Sequence, residues 1–109
     1  MKEFKFRGSA RAGLREFPKA VRQDVGFQLD RVQNGRNPSD WKPMPAIGQG
    51  VQEIRIRGDA GTFRAIHVAR FTSVVYVLHC FQKKSEKTSR ADLDLATKRY
   101  QDLLKELQP

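Results

Sequence analysis

Residues 81–90 read FQKKSEKTSR. A β-branched apolar run ends at Phe81 and a helical pattern begins near Ser89. Lys83, Lys84, Lys87 and Arg90 therefore crowd the start of a helix, with only Glu86 of opposite sign. The first turn of a helix already carries partial positive charge on its unpaired N–H groups. Cations set against it repel that end and one another, and an anionic ligand relieves both. Ammonium and guanidinium groups at such a place suit a phosphate.

More cations join them if the strands pair as the turns suggest. A turn at GDAG (58–61) that pairs Arg57 with Thr62 sets Arg55 opposite Arg64. A tight turn at Thr72–Ser73 that pairs Phe71 with Val74 sets Arg64 opposite Phe81 and Ile66 opposite His79. Directly paired antiparallel residues project to the same side. Arg55, Arg57, Arg64, His79 and Phe81 then share one face, which Lys83 continues. Ile54, Ile56, Phe63, Ala65, Ala69, Tyr76, Leu78 and Cys80 fall on the other. Arg55 opposite Arg64 is a like-charge pair, destabilising unless an anion sits between them. His79, set among cations, is expected to be a neutral imidazole able to accept a proton. His67 falls on the apolar face and reads as a satisfied core histidine.

There is no Gly-rich phosphate loop, no HExxH, no nucleophile elbow and no paired-carboxylate signal in the basic region. Metal-dependent nuclease chemistry needs clustered Asp and Glu, so neither a metal nor a cofactor is expected. Metal-free RNA cleavage fits better, because RNA brings its own nucleophile, the 2′-OH. The protein must then take that proton, hold the phosphate in line and neutralise its developing charge. Arg64 is the candidate transition-state clamp, a guanidinium that forks onto two phosphate oxygens. Arg55, Arg57, Lys83, Lys87 and Arg90 are candidate RNA contacts.

The elements that must position these residues are legible in outline. At 109 residues the chain suits one domain, spanning 1–109, and its 39% apolar content suits a globular fold. A net charge of +9 implies a polyanionic partner, nucleic acid first and a membrane surface last. Cys80 is the only cysteine, which excludes an internal disulfide and places the thiol in the core. No apolar leader or spanning segment is present, so a cytoplasmic protein with no membrane role is expected. EFKFR (3–7) predicts a short strand. Residues 9–17 predict a brief helix, and Pro18 opens a second, with Val21, Val25, Leu29 and Val32 at helical spacing. Residues 36–50 read as an ordered surface loop whose Trp41 plugs the core edge or stacks on a base. Strands follow at 51–57, 62–71 and 73–82. The tail is an amphipathic helix capped by Ser89 with Asp92.

The order GVQEIRIRGDAGTFRAIHVARF…VVYVLHCFQKKSEKT, with DWKPM and the Gly-x-Phe-Arg at 61–64, resembles the phage-related HigB-like branch of the RelE/ParE toxin superfamily. The resemblance implies an α+β fold: an N-terminal helical hairpin packed on a small antiparallel sheet, with a C-terminal helix. It implies the toxin of a type II toxin–antitoxin pair. RelE and HigB toxins cut mRNA on the ribosome without metal, and ParE relatives poison DNA gyrase. The implied partners are a helix-turn-helix antitoxin, the ribosome and mRNA, with operator DNA bound only through the antitoxin complex. By position, Arg64 matches the strand arginine used at the scissile phosphate, Lys83 and Lys84 match the basic pair after the last strand, and Arg55 and Arg57 lie on the RNA-contacting strand. The chain departs from RelE in having no tyrosine between residues 81 and 99. His79 and Lys84 remain as candidates for the general base. The expected function is a ribosome-dependent endoribonuclease toxin; the alternatives are a gyrase poison and a non-catalytic nucleic-acid-binding accessory protein.

Overall fold

The computed structural model describes residues 2–83 and 87–108. In chain order the elements are β1 (Glu3–Phe6), α1 (Ala10–Arg15), α2 (Lys19–Gln33), β2 (Trp41–Pro43), β3 (Val51–Gly58), β4 (Gly61–Val68), β5 (Val74–Lys83) and α3 (Arg90–Leu107). The strands form one sheet in the order β1-β5-β4-β3-β2. This is the expected α+β arrangement, with two differences in the sheet, a parallel pairing and an extra edge strand, β2. β1 runs parallel to β5, and the other pairings are antiparallel.

Each face of the sheet is covered by helix. Val21, Val25 and Leu29 of α2 pack with Ala10 of α1 and Phe17 against Ile54, Ile56, Phe63, Ala65, Val77 and Cys80. Ala96, Tyr100 and Leu103 of α3 cover Val51, Ile66, Val68, Tyr76, Leu78 and Phe81 on the opposite face. Burying such side chains is worth roughly 1.5–3 kcal/mol apiece, so both layers are held mainly by their apolar stripes rather than by helix propensity. Cys80 is in the core, where burial pushes its thiol up to about 12. Two glycines permit close approach: a Cβ on Gly13 would lie 2.5 Å from the Cys80 carbonyl oxygen, and one on Gly48 only 2.1 Å from the Tyr100 ring.

The turn at 58–61 forms as expected, with Arg57 opposite Thr62 and Gly61 at φ +125°. The second turn does not. β4 ends at Val68 rather than Phe71, and a bulge shifts the β4–β5 register between Ile66 and His67. Beyond it, His67 pairs with Val77, leaving Leu78 as the extra residue. Tyr76 and Leu78, expected on the face of Ile54, therefore lie under α3, while Val77 takes the opposite side. On the site side of the bulge the expected register holds: Arg64 pairs with Phe81 and Ile66 with His79.

Residues 36–50 are not wholly loop, because Trp41–Pro43 adds an edge strand with Lys42 opposite Glu53. Ser89 caps α3, its Oγ accepting from the Asp92 N–H at 3.1 Å and donating to Asp92 Oδ2 at 2.7 Å.

Candidate active site

The registers lay out three rows on the α3 face of the sheet. Lys42, Glu53, Ile66 and His79 form one; Arg55, Arg64 and Phe81 the next; Arg57, Thr62 and Lys83 the last. Strands about 4.8 Å apart hold such rows close enough for long side chains to meet. Arg55, Arg64 and Lys83 are thus brought together.

At their centre is Glu53, a residue the sequence reading passed over. Its side chain is fully buried. Oε1 accepts a hydrogen bond from Arg64 Nη1 at 2.7 Å and lies 4.0 Å from Arg55 Nε. Oε2 accepts from the Thr88 hydroxyl at 2.6 Å, which ties the segment before α3 to the sheet. The expectation that only an outside anion offsets the Arg55–Arg64 pair is therefore corrected, because the chain supplies a carboxylate of its own. VQEIRIR does hold the signal. Glu53 is the lone acid at the alternate positions that carry Arg55 and Arg57, so it shares their face.

Arg64 is 4% exposed, which removes the reading of it as an ordinary surface arginine. Burial holds its guanidinium below the ordinary value; Glu53 opposes that shift and Arg55 adds to it. Partial desolvation, followed by repulsion from Arg64, lowers the Lys83 ammonium in the same way, with Lys42 and Arg55 contributing and Glu53 opposing. The Nε–H groups of Arg55 and Arg64 are both buried and make no hydrogen bond. A buried donor without an acceptor costs about 1–3 kcal/mol. The two lie on directly paired residues of one face.

His79 is placed differently from expectation. Its Nε2 lies 2.7 Å from Asp92 Oδ1, and its ring stacks on Phe81 with centroids 4.6 Å apart. Its immediate partner is a carboxylate, not a ring of cations. Burial is the main cause that lowers its pKa; Asp92 opposes it and Arg99 contributes to it. Arg57 is exposed at the edge of the cluster, and Lys87 is exposed on the segment before α3. Arg90 is in an exposed pair with Asp94 at 3.0 Å. Lys84 lies outside the described residues.

The base-stacking reading of Trp41 finds no support at this site. Trp41 pairs with Ile54, whereas its neighbour Lys42 is the residue that faces Glu53. With Pro43, Pro45 and Gly48, Trp41 lines a separate cleft. His67 is buried as expected but is not satisfied: neither ring nitrogen has a hydrogen-bond partner, and burial pushes its pKa down to about 4. Among the described residues, no group of three or more His, Cys, Asp or Glu side chains is placed to hold a metal ion. No described helix is long and apolar enough to cross a membrane.

No curated protein matches the chain in sequence. Among solved structures it is similar to a mutant of the E. coli toxin RelE in the free state, with a TM-score of 0.59, 14% identity and 98% of each chain covered. At that identity the likeness is one of fold. Residues 12–101 match the family described as "Phage derived protein Gp49-like (DUF891)". The chain thus belongs to the phage-derived Gp49-like family, a family of the RelE/HigB toxin type.

Proposed function

We propose that this toxin is an endoribonuclease that cleaves mRNA on the ribosome without a metal ion. The observation that carries the reading is the pair of buried, acceptor-free Nε–H groups on Arg55 and Arg64, beside Lys83. Two guanidinium edges and an ammonium can receive the oxygens of one phosphodiester. The 2′-oxygen attacks phosphorus as its proton leaves. The bond to the 5′-oxygen breaks, and the departing oxygen takes up a proton, leaving a cyclic phosphate. Arg64 neutralises the phosphorane oxygens, held from behind by Glu53. Arg55 and Lys83 share that task, and Arg57 and Lys87 follow the RNA backbone.

His79 and Lys84 remain the candidates for proton transfer. With Nε2 committed to Asp92, His79 would take the proton at Nδ1. Arg90, turned toward Asp94, has the weakest claim to an RNA contact. The cognate antitoxin follows from the toxin–antitoxin family. A helix-turn-helix repressor fits that role, with operator DNA bound only through the pair and the action in the cytoplasm.

Arg64→Ala tests the site. Induced expression of the wild-type chain is expected to arrest translation early and to create new mRNA 5′ ends, and the soluble variant is expected to do neither. Full toxicity of folded Arg64→Ala overturns the assignment, and DNA breaks without mRNA cleavage point instead to gyrase.

A further inference from the structure

Besides the Arg55–Arg64 cluster, the chain carries a second set of cations in its N-terminal segment. Residues 1–22 contain seven basic and two acidic residues. Arg7 is paired with Glu106 and Lys2 binds the Ala69 carbonyl, but Arg11, Arg15, Lys19 and Arg22 are all exposed and form no ion pair among the described residues. Arg11 and Arg15 are four apart on α1, and Lys19 and Arg22 three apart on α2, so each pair shares a helix face. Both helices pack on the Ile54–Phe63 side of the sheet, whereas the Glu53 cluster faces α3. The two basic surfaces are therefore on opposite layers.

The contrast with α3 shows that the pattern is not a general habit of the chain. On α3, Arg90 and Lys98 each meet an aspartate four residues on, at 3.0 and 3.1 Å. On α1 and α2 no acidic residue stands in either first turn, although Arg11 and Lys19 do. Local helix electrostatics disfavour that placement. Arg11 lies over the Phe6 ring at 6.0 Å, the outer limit of a cation–π contact, and Arg15, Lys19 and Arg22 form no ion pair among the described residues; a polyanion would engage all four.

We propose that the α1–α2 surface grips the phosphate backbone of folded, double-helical RNA while the opposite face works on a single strand. This rests on the ribosomal reading above and deepens it. A strand threading the Arg55–Arg64 cluster cannot also lie along the helices without wrapping the sheet, so the second surface takes a second stretch of RNA. Its contacts are backbone charges only, so it is indifferent to sequence and sensitive to salt.

The test is binding of the full-length chain to a short fluorescent RNA duplex across a salt series. The wild type is compared with Arg11→Gln/Arg15→Gln/Lys19→Gln/Arg22→Gln and with Arg55→Gln/Lys83→Gln, after circular dichroism confirms that each is folded. The helix variant is expected to bind roughly tenfold more weakly or worse, with a log–log salt slope shallower by about 3. The Arg55/Lys83 variant is expected to keep most of its duplex affinity. Unchanged affinity and slope in a folded helix variant overturn the proposal, as does equal loss in both variants. Loss of antitoxin binding alone, with duplex binding intact, also overturns it, because the surface then belongs to a protein partner. None of these results bears on Arg64→Ala toxicity, so the two readings fail separately.

Discussion

Arg64 and His67 sit three residues apart on β4, both buried, yet the fold treats them oppositely. Arg64 faces α3 and meets Glu53 at 2.7 Å, with Thr88 completing the carboxylate's partners. His67 faces the other way, at the bulge, with neither ring nitrogen bonded. Its neutral form is the one that survives there, since burial disfavours the imidazolium. A buried charge is retained where a counter-charge is built beside it and lost where none is. The difference also separates what serves the site from what merely tolerates burial: the paired arginine keeps unused donors, and the unpaired histidine is covered on every side.

Removing the counter-charge is the strongest way to break the contrast. Glu53→Ala leaves Arg64 buried without a partner, Arg55 without its nearest acid and Thr88 without its acceptor. Breaking a buried ion pair from one side costs about 3–5 kcal/mol. Denaturant unfolding is expected to show a loss of that order, together with loss of toxicity. A Glu53→Ala protein as stable as the wild type would mean that the pair does not hold the site. Glu53→Gln should fall between the two, because an amide oxygen still accepts from Arg64 while the charge is gone.

His67 yields the next largest effect, and its sign is fixed by the direction of its shift. Folding lowers its pKa from 6.5 to about 4, so the unfolded chain binds the proton more readily. The stability it contributes is present above pH 6.5 and is lost as pH falls toward 4. A shift of that size corresponds to about 3 kcal/mol. Stability measured between pH 7 and pH 4 is expected to fall less steeply in His67→Leu than in the wild type, with the variant no less stable at pH 7. Parallel pH curves for the two proteins would show that His67 is not a neutral, buried group. His79 also titrates with a lowered pKa, but it is common to both proteins and drops out of the difference.

Much of this arrangement was legible in the sequence, for reasons that particular residues make plain. Leu93, Ala96, Tyr100, Leu103 and Leu107 keep helical spacing; Ala96, Tyr100 and Leu103 bury under the sheet as that spacing demands, whereas Leu107, in the last turn, is exposed. GDAG has the length of a two-residue hairpin turn, so the Arg55–Arg64 register followed from it. The bulge at Ile66–His67 was not legible. An extra residue in a β-branched run leaves no mark on composition, and Tyr76 and Leu78 are as apolar on one face as on the other. Nor were the partnerships of Glu53 with Thr88 and of His79 with Asp92. Each joins the sheet to the start of α3 across a sequence gap of 35 or 13 residues. Strand pairing arithmetic does not reach across layers.

His79 offers the finest test, because its link to Asp92 resembles the Arg64–Glu53 pair in kind while being weaker in setting. The two side chains are 12% and 29% exposed, against 5% and 0% for Arg64 and Glu53. Solvent screening therefore reduces what the bond is worth, to about 1 kcal/mol. Asp92→Asn keeps one acceptor oxygen for His79 Nε2 but loses the one that takes the Ser89 hydroxyl and the negative charge in the first turn of α3, and is expected to cost about 1 kcal/mol. His79→Ala removes both the bond and the stacking on Phe81, and should cost somewhat more. The two substitutions together also separate fastening from chemistry. If His79 only holds α3 to β5, both variants stay toxic and their mRNA cleavage keeps the wild-type pH dependence. If it transfers the proton at Nδ1, His79→Ala loses cleavage, and Asp92→Asn, which removes the charge opposing its lowered pKa, moves the acid limb of the cleavage–pH profile to lower pH while the protein remains folded.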